Sequence, residues 1–143
     1  MSTMSKINSV QVGDLLPVRE FAPDNIQLFF YDAALWNAHR IHFDFPYATE
    51  VEGYPGLVVP GPLMGDWITQ CAVEWAGEDA ELVNVNYSNR QYACVGEVLR
   101  SQGKVVSVST ERREVELEIN IVNGGDDILA PGRLLVRFNK VEE

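Results

Sequence analysis

The sequence contains no apolar run approaching the ~20 residues that a membrane-spanning helix requires, so no such helix is expected. Basic residues are scarce: 11 Lys and Arg stand against 21 Asp and Glu, a formal net charge of −10. That balance argues against the broad basic face of a nucleic-acid-binding protein. It leaves room for a small anionic ligand, which a few local arginines can hold. There are two cysteines, Cys71 and Cys94, at no metal-ligand spacing. They are expected to be reduced, buried thiols of a cytoplasmic protein. Met1 to Asn8 is polar and lacks the apolar centre of a secretory signal; a frayed end is expected there. Internal repeats, low-complexity tracts and linkers are also missing.

What is present is ordinary globular composition, with 46% apolar and 22% charged residues over 143 positions. This suits one domain large enough to bury its own core. Val18 to Ala22 can open it as a short strand. Asp24 then caps a helix, with Gln27 as its capping-box partner, and Ile26, Phe29, Phe30, Ala33 and Ala34 form an apolar face at helical spacing. Glu52 to Pro62, rich in Gly and Pro, is a loop with several special backbone angles. A second helix follows over Leu63–Ala76, with Pro62 in its first turn and Gly77 at its stop. Its apolar residues, among them Leu63, Met64, Trp67, Ile68, Cys71 and Trp75, cover so much of its circumference that it is expected to be central and enclosed.

From Leu82 the hydrophobic period changes to two. Val83, Val85 and Tyr87 alternate with polar residues, as do Val115, Leu117, Ile119 and Ile121, and then Leu134, Val136 and Phe138. Val95 to Ser109 is a further strand with an interruption expected near Gly103. Hairpin connections fall at Ser109–Arg112 and Asn123–Asp127. One buried helix with several antiparallel strands defines an α+β fold in which a curved sheet wraps a helix.

The chemistry is concentrated in N-A-H-R-I-H-F-D, residues 37–44. Asn37, His39, Arg40, His42 and Asp44 fall within eight positions, and both histidines of the chain lie here. Imidazole is the side chain suited to moving protons near neutral pH. Asn37 can hold a water or a carbonyl, and Arg40 can bind phosphate or pair with a carboxylate. On spacing alone, a polar helix end with Asp44 securing the turn is an equal reading. Three metal ligands, His39, His42 and Asp44, are a weaker one, and no metal is expected.

The loop E-G-Y-P-G-L-V-V-P-G-P adds a second feature. Glycines 53, 56 and 61 let a backbone approach a ligand closely. The helix that begins beside Pro62 points free N–H groups and its positive end at whatever binds there, which can stabilise charge on a carbonyl oxygen.

The run N-A-H-R-I-H-F-D-F-P-Y-A, followed by V-E-G-Y-P-G-L-V-V-P-G-P-L, resembles the MaoC-like hydratases and dehydratases, and among them the branch containing mesaconyl-CoA hydratase and related acyl dehydratases. The resemblance is close from Phe29 to about Leu63. It implies a hot-dog fold and a reaction on a coenzyme A or acyl-carrier-protein thioester: water added to a 2-enoyl group or removed from a 3-hydroxyacyl group. Coenzyme A is then part of the substrate, and no other cofactor is implied. In the R-specific hydratases the motif D-x-N-P-x-H supplies an Asp and a His that activate water. Laid on this sequence, the His falls on His42 and the Asp on Asn37; His39 and Arg40 take the Asn and Pro positions. A second family element, H-G and an apolar residue, falls on Pro60, Gly61 and Pro62. Asn37 is no base. The reading adopted is therefore His42 as base with Asn37 orienting water or carbonyl; His39 as the second proton carrier and help from a partner subunit are alternatives.

Arg40, Tyr54, Gly56, Val59, Gly61, Pro62 and Leu63 are the expected substrate contacts. Arg90, Arg100, Lys104 and Arg112 are candidate cations for the coenzyme. A homodimer, or a heteromer with a related hot-dog subunit, is expected. A non-catalytic acyl-CoA-binding subunit and a hot-dog thioesterase are the competing functions.

Overall fold

The protein is described by a computed structural model over residues 6–141. Strand β1 (Glu20–Phe21) and helix α1 (Asn25–Leu35) come first; helix α2 (Gly61–Ala76) then leads into strands β2 (Ala80–Tyr87), β3 (Leu99–Ser109), β4 (Glu114–Val122) and β5 (Ile128–Phe138). The strands form one antiparallel sheet in the order β1-β3-β4-β5-β2. The sheet packs on α2, as the change of hydrophobic period implied.

On β4 and β5 the inward side chains are those the alternation marked: Val115, Leu117, Ile119 and Ile121 and Leu134, Val136 and Phe138 are all buried. Their neighbours point outward, where Arg133 pairs with Glu116 and Glu118 and Arg137 with Glu114. On β2, by contrast, the register shifts between Leu82 and Asn84, and both Val83 and Tyr87 are exposed. Against the inner face lies one side of α2, formed by Leu63, Met64, Gly65, Trp67, Ile68, Cys71 and Ala72. The enclosure is one-sided. Asp66, Gln70, Val73 and Glu74 of the same helix are exposed. Both cysteines are free and buried, and burial pushes each thiol pKa up.

Where the helix meets the sheet, Gly132 removes a side chain that would collide with it. A Cβ there would stand 2.8 Å from the Ile119 carbonyl oxygen and 2.9 Å from Ile68 Cγ2. Gly103 has a comparable role and does not interrupt β3: a Cβ there would lie 3.1 Å from Leu16 Cβ. The irregularity in the β3–β4 ladder falls instead between Val105 and Ser107.

Two other expectations need correction. The N-terminal fraying does not extend to Lys6–Asn8, which form a tight turn with Ile7 buried; Met1–Ser5 lie outside the described residues. The segment from Val95 to Val98 is a turn, so β3 begins at Leu99. The apolar face of α1 is present, and it does not face the core. Its buried positions are Leu28 and Asp32, while Ile26, Phe29, Phe30, Ala33 and Ala34 are exposed.

The helix itself starts as the capping signal required. Asp24 is extended and its side chain accepts from the Gln27 N–H at 2.8 Å. Asp24→Ala removes that acceptor and is expected to lower stability by about 1 kcal/mol, as read from the midpoint of chemical denaturation. Asp24→Ser, which keeps an acceptor, is expected to stay within about 0.5 kcal/mol of the parent.

Candidate active site

Helix α1 ends at Trp36, which adopts a left-handed conformation (φ 57°). This lets the Asn37 N–H reach back to the Asp32 carbonyl at 2.8 Å, closing the last turn. The chain then folds through the motif by local side-chain bonds. Asn37 Oδ1 accepts the His39 N–H at 3.0 Å, and His39 Nδ1 accepts the Ile41 N–H at 3.4 Å. Asp44 accepts two bonds from the Arg40 guanidinium, at 3.0 and 2.7 Å, and the guanidinium lies over the Tyr47 ring. The bonds from Arg40, with one from the Tyr47 N–H, hold the Asp44 carboxyl below the usual carboxylate range. Asp44 therefore secures the turn, and Arg40 is engaged with it.

His42 stands apart from these exposed groups. It is 8% exposed, and its Nδ1 lies 2.6 Å from the Val58 carbonyl oxygen. A carbonyl oxygen only accepts, so Nδ1 carries the proton and donates. In the neutral ring, Nε2 is left as a proton acceptor. The same turn is pinned by the Val58 N–H, which donates to the Ile41 carbonyl at 2.9 Å. Leu57 and Val59 in turn pair with the 93–95 segment, through Val95 N–H to the Leu57 carbonyl and Val59 N–H to the Ala93 carbonyl, each at 2.9 Å. His42 is thus fixed to a loop that enters α2 three residues beyond Val58.

At that entrance Pro60 caps the helix, Pro62 has no N–H, and the Leu63 N–H bonds the Pro60 carbonyl at 3.1 Å. Among the described residues the Gly61 N–H has no partner. Asn89 sits directly against Gly61, whose absent Cβ would be 2.3 Å from Asn89 Nδ2. Of the three loop glycines only Gly53 has positive φ (77°). Gly61 serves close packing, whereas a Cβ at Gly56 would lie 3.8 Å from Cys94 Cβ, an ordinary contact.

The remaining candidate contacts divide. Gly56 lines a groove of about 690 Å3 between α1 and the loop, whose walls include Ile26, Phe29, Phe30, Phe43, Phe45 and Leu57. Tyr54 is half-buried, edge-on to Tyr92. Val59 and Leu63 are buried in the core, and Pro62 is exposed. The candidate coenzyme cations do not converge: Arg100 pairs with Asp126, Arg90 bonds Ser88 at 3.4 Å, and Lys104 lies beside Leu15 in a different depression. Nor, among the described residues, does any group of three His, Cys, Asp or Glu assemble as a metal site.

One residue escaped the sequence reading altogether. Asp32 is 1% exposed, and both its carboxylate oxygens are buried without a hydrogen-bond partner. Burial raises its pKa, against the opposing pull of the nearby His42 and His39 rings. Its sequence signal was its spacing, four residues after buried Leu28. The stronger apolar periodicity of Ile26, Phe29 and Phe30 masked that stripe.

A small α+β unit in which an antiparallel sheet wraps a helix, with a buried histidine fixed beside the N-terminus of that helix, defines the class. The family profile of the hydroxyacyl-thioester dehydratases type 2 matches residues 3–95, and the chain belongs to that family. Mesaconyl-C(4)-CoA hydratase of Chloroflexus aurantiacus is 52% identical over 54 residues, which are 38% of this chain and 19% of that relative. The matched segment is thus under a fifth of the relative's length. The fold is that of R-hydratase PhaJ1 from Pseudomonas aeruginosa in the unliganded form, with a TM-score of 0.85 at 15% identity over 96% of this chain and 90% of the other. It is also that of a chain in the ChsH1–ChsH2 complex from Mycobacterium tuberculosis, with a TM-score of 0.80 at 14% identity over 90% of this chain and 98% of the other. The fold is the hot dog.

Proposed function

We propose that the protein interconverts a 2-enoyl thioester and a 3-hydroxyacyl thioester by adding or removing water. The observation that carries this reading is the bond from His42 Nδ1 to the Val58 carbonyl. It leaves a buried Nε2 as base, on a ring bonded to the residue three positions before the uncommitted Gly61 N–H. In the hydration direction Nε2 takes a proton from water while the water oxygen bonds C3. The electron pair of C2=C3 moves toward the thioester oxygen, where the Gly61 N–H and the positive end of the sixteen-residue α2 offset the developing charge. Pro60, standing where the R-specific motif has His, leaves this donor in place.

Asn37 acts chiefly on the loop. Its Oδ1 is committed to the His39 N–H, so only its Nδ2 hydrogens remain to orient water or carbonyl. The apolar groove beside α1 suits the acyl chain. Two of its walls, Phe43 and Leu57, are sequence neighbours of His42 and of Val58, and its volume is in the range of small-ligand sites.

The chain is proposed to work with a second hot-dog chain, either another copy or a related subunit. β1 spans two residues, whereas β2 is an eight-residue outer strand whose far edge pairs with nothing among the described residues. Such an edge is normally covered. Light scattering of the purified protein is expected to give about twice the 16.0 kDa chain mass, or the chain mass alone if the partner is a different subunit.

The test of function is loss of enoyl-thioester absorbance on short, branched, long and steroidal enoyl-CoAs and on acyl-carrier-protein thioesters, with and without a partner subunit. Hydration supports the reading. Release of free thiol without hydration would make the protein a thioesterase. Binding with no turnover under every condition would make it an acyl-binding subunit.

A further inference from the structure

Helix α1 is turned against its own hydrophobicity. It buries Leu28 and Asp32, four residues apart on one stripe, and leaves Phe29 and Phe30 at 56% and 67% exposure. Turning an aromatic face outward forgoes about 1.5–3 kcal/mol for each fully buried phenylalanine. Burying an ionised carboxylate without a partner costs several kcal/mol more. Native folds satisfy nearly all buried polar atoms, and a carboxylate with both oxygens unmet is an exception that calls for a reason.

The surroundings supply one. The Asp32 carbonyl holds the Asn37 N–H, Asn37 holds His39, and the turn continues to His42. The backbone thus ties the turn that carries both histidines to the helix that carries Asp32, and the two imidazole rings stand 5.6 Å apart. Those rings are the groups whose charge acts on Asp32, yet no hydrogen bond or ion pair joins it to either. Its chain neighbour Tyr31 is occupied elsewhere, donating to Asp66 of α2 at 2.7 Å. Both carboxylate oxygens of Asp32 therefore keep their full hydrogen-bonding capacity uncommitted.

We propose that Asp32 is the second acid–base residue of the site, supplying from α1 the carboxyl group that position 37 lacks. This rests on the hydratase reading above. In hydration, His42 Nε2 accepts one proton from water as the water oxygen bonds C3. The C2=C3 pair passes to the thioester oxygen as an enolate, and Asp32 in its carboxylic acid form delivers a proton to C2 as the pair returns. The imidazolium proton then passes to the Asp32 carboxylate. The protein ends with the protons it began with, and the substrate has gained one water.

Burial favours the protonated carboxyl that this role needs. A carboxyl pKa raised in the fold favours folding most at low pH, and that contribution is lost as pH rises through the folded value. Asp32→Asn is therefore expected to keep or raise the melting temperature at pH 7 while lowering kcat about 10²-fold or more, with KM nearly unchanged. Restoring a carboxyl at position 37, in the Asp32→Asn, Asn37→Asp double variant, is expected to recover at least tenfold of the loss. A role confined to structure would instead lower the melting temperature and leave kcat within about threefold, and that result overturns the proposal.

Carbon-13 titration of the Asp32 carboxyl in the ligand-free protein reads the same pair without turnover. The carboxyl is expected to titrate differently in the parent protein and in His42→Ala. A carboxyl that titrates identically in both proteins overturns the proposal whether or not any thioester is hydrated. If the coupling is present but no thioester is hydrated, it is the hydratase reading that fails.

Discussion

His42→Ala is expected to lower kcat/KM for hydration of an enoyl thioester about 10³-fold, within the ~10²–10⁴ range of a general base. Two effects contribute and can be separated. Alanine removes Nε2, the proton acceptor, and also strips the Val58 carbonyl of its donor at 2.6 Å. Leaving a buried acceptor unmet costs about 1–3 kcal/mol of stability. Asn carries an amide N–H at the end of a shorter side chain and has no basic nitrogen. His42→Asn is thus expected to hold the melting temperature closer to that of the parent while losing activity as fully as alanine. The loss should fall on kcat, because the base acts in the transition state. His39→Ala provides the contrast. His39 is exposed, and its ring accepts one long bond from the Ile41 N–H; its loss is expected to cost less than tenfold. If His39→Ala proves as damaging as His42→Ala, the assignment of the base is wrong.

Gly132→Ala is expected to be the most destabilising single methyl in the sheet, lowering stability by about 3 kcal/mol. The added Cβ meets the Ile119 carbonyl oxygen at 2.8 Å and Ile68 Cγ2 at 2.9 Å. Ile119 is held in the middle of the β4–β5 ladder opposite Gly132 itself, and Ile68 is fully buried. Neither can give way without moving the sheet from α2. Gly65→Ala makes the shorter contact, 2.3 Å, but with the Tyr87 ring, a side chain at the surface that can swing aside. Its cost is expected to be under about 1 kcal/mol, since the flexible partner relaxes. Chemical denaturation at one protein concentration checks both, because self-association would otherwise shift the midpoints. Equal losses at the two glycines would show that backbone rigidity at Gly132 does not decide the outcome.

The exposed stripe of α1 and the buried histidine belong to one problem in reading this chain. Ile26, Phe29, Phe30, Ala33 and Ala34 obey the helical period as well as any core face. Periodicity reports that a face is apolar; it does not report what covers it. Here α2 already fills the inner face of the sheet, and the α1 stripe lines a surface groove. Asp32 was overlooked for the complementary reason. A lone acid in an otherwise apolar helix is normally exposed, and nothing local distinguishes the one that is not.

By itself the sequence determined the elements whose cause is local or strictly periodic. The Asp24 cap, the Gly77 stop of α2, the alternating strands β4 and β5 and the clustering of both histidines all follow from neighbours within a turn or two. The family motif added the hot-dog fold and the choice of His42. Tertiary structure alone decided which imidazole nitrogen is free, because that depends on the Val58 carbonyl sixteen residues away. It also decided that Asn37 braces a turn and that Arg40 is held by Asp44. Above all, it turned α1 so that a carboxyl group rather than an aromatic ring lies inside. Sequence spacing orders side chains along an element, but the rotation of that element about its axis is set by what it packs against.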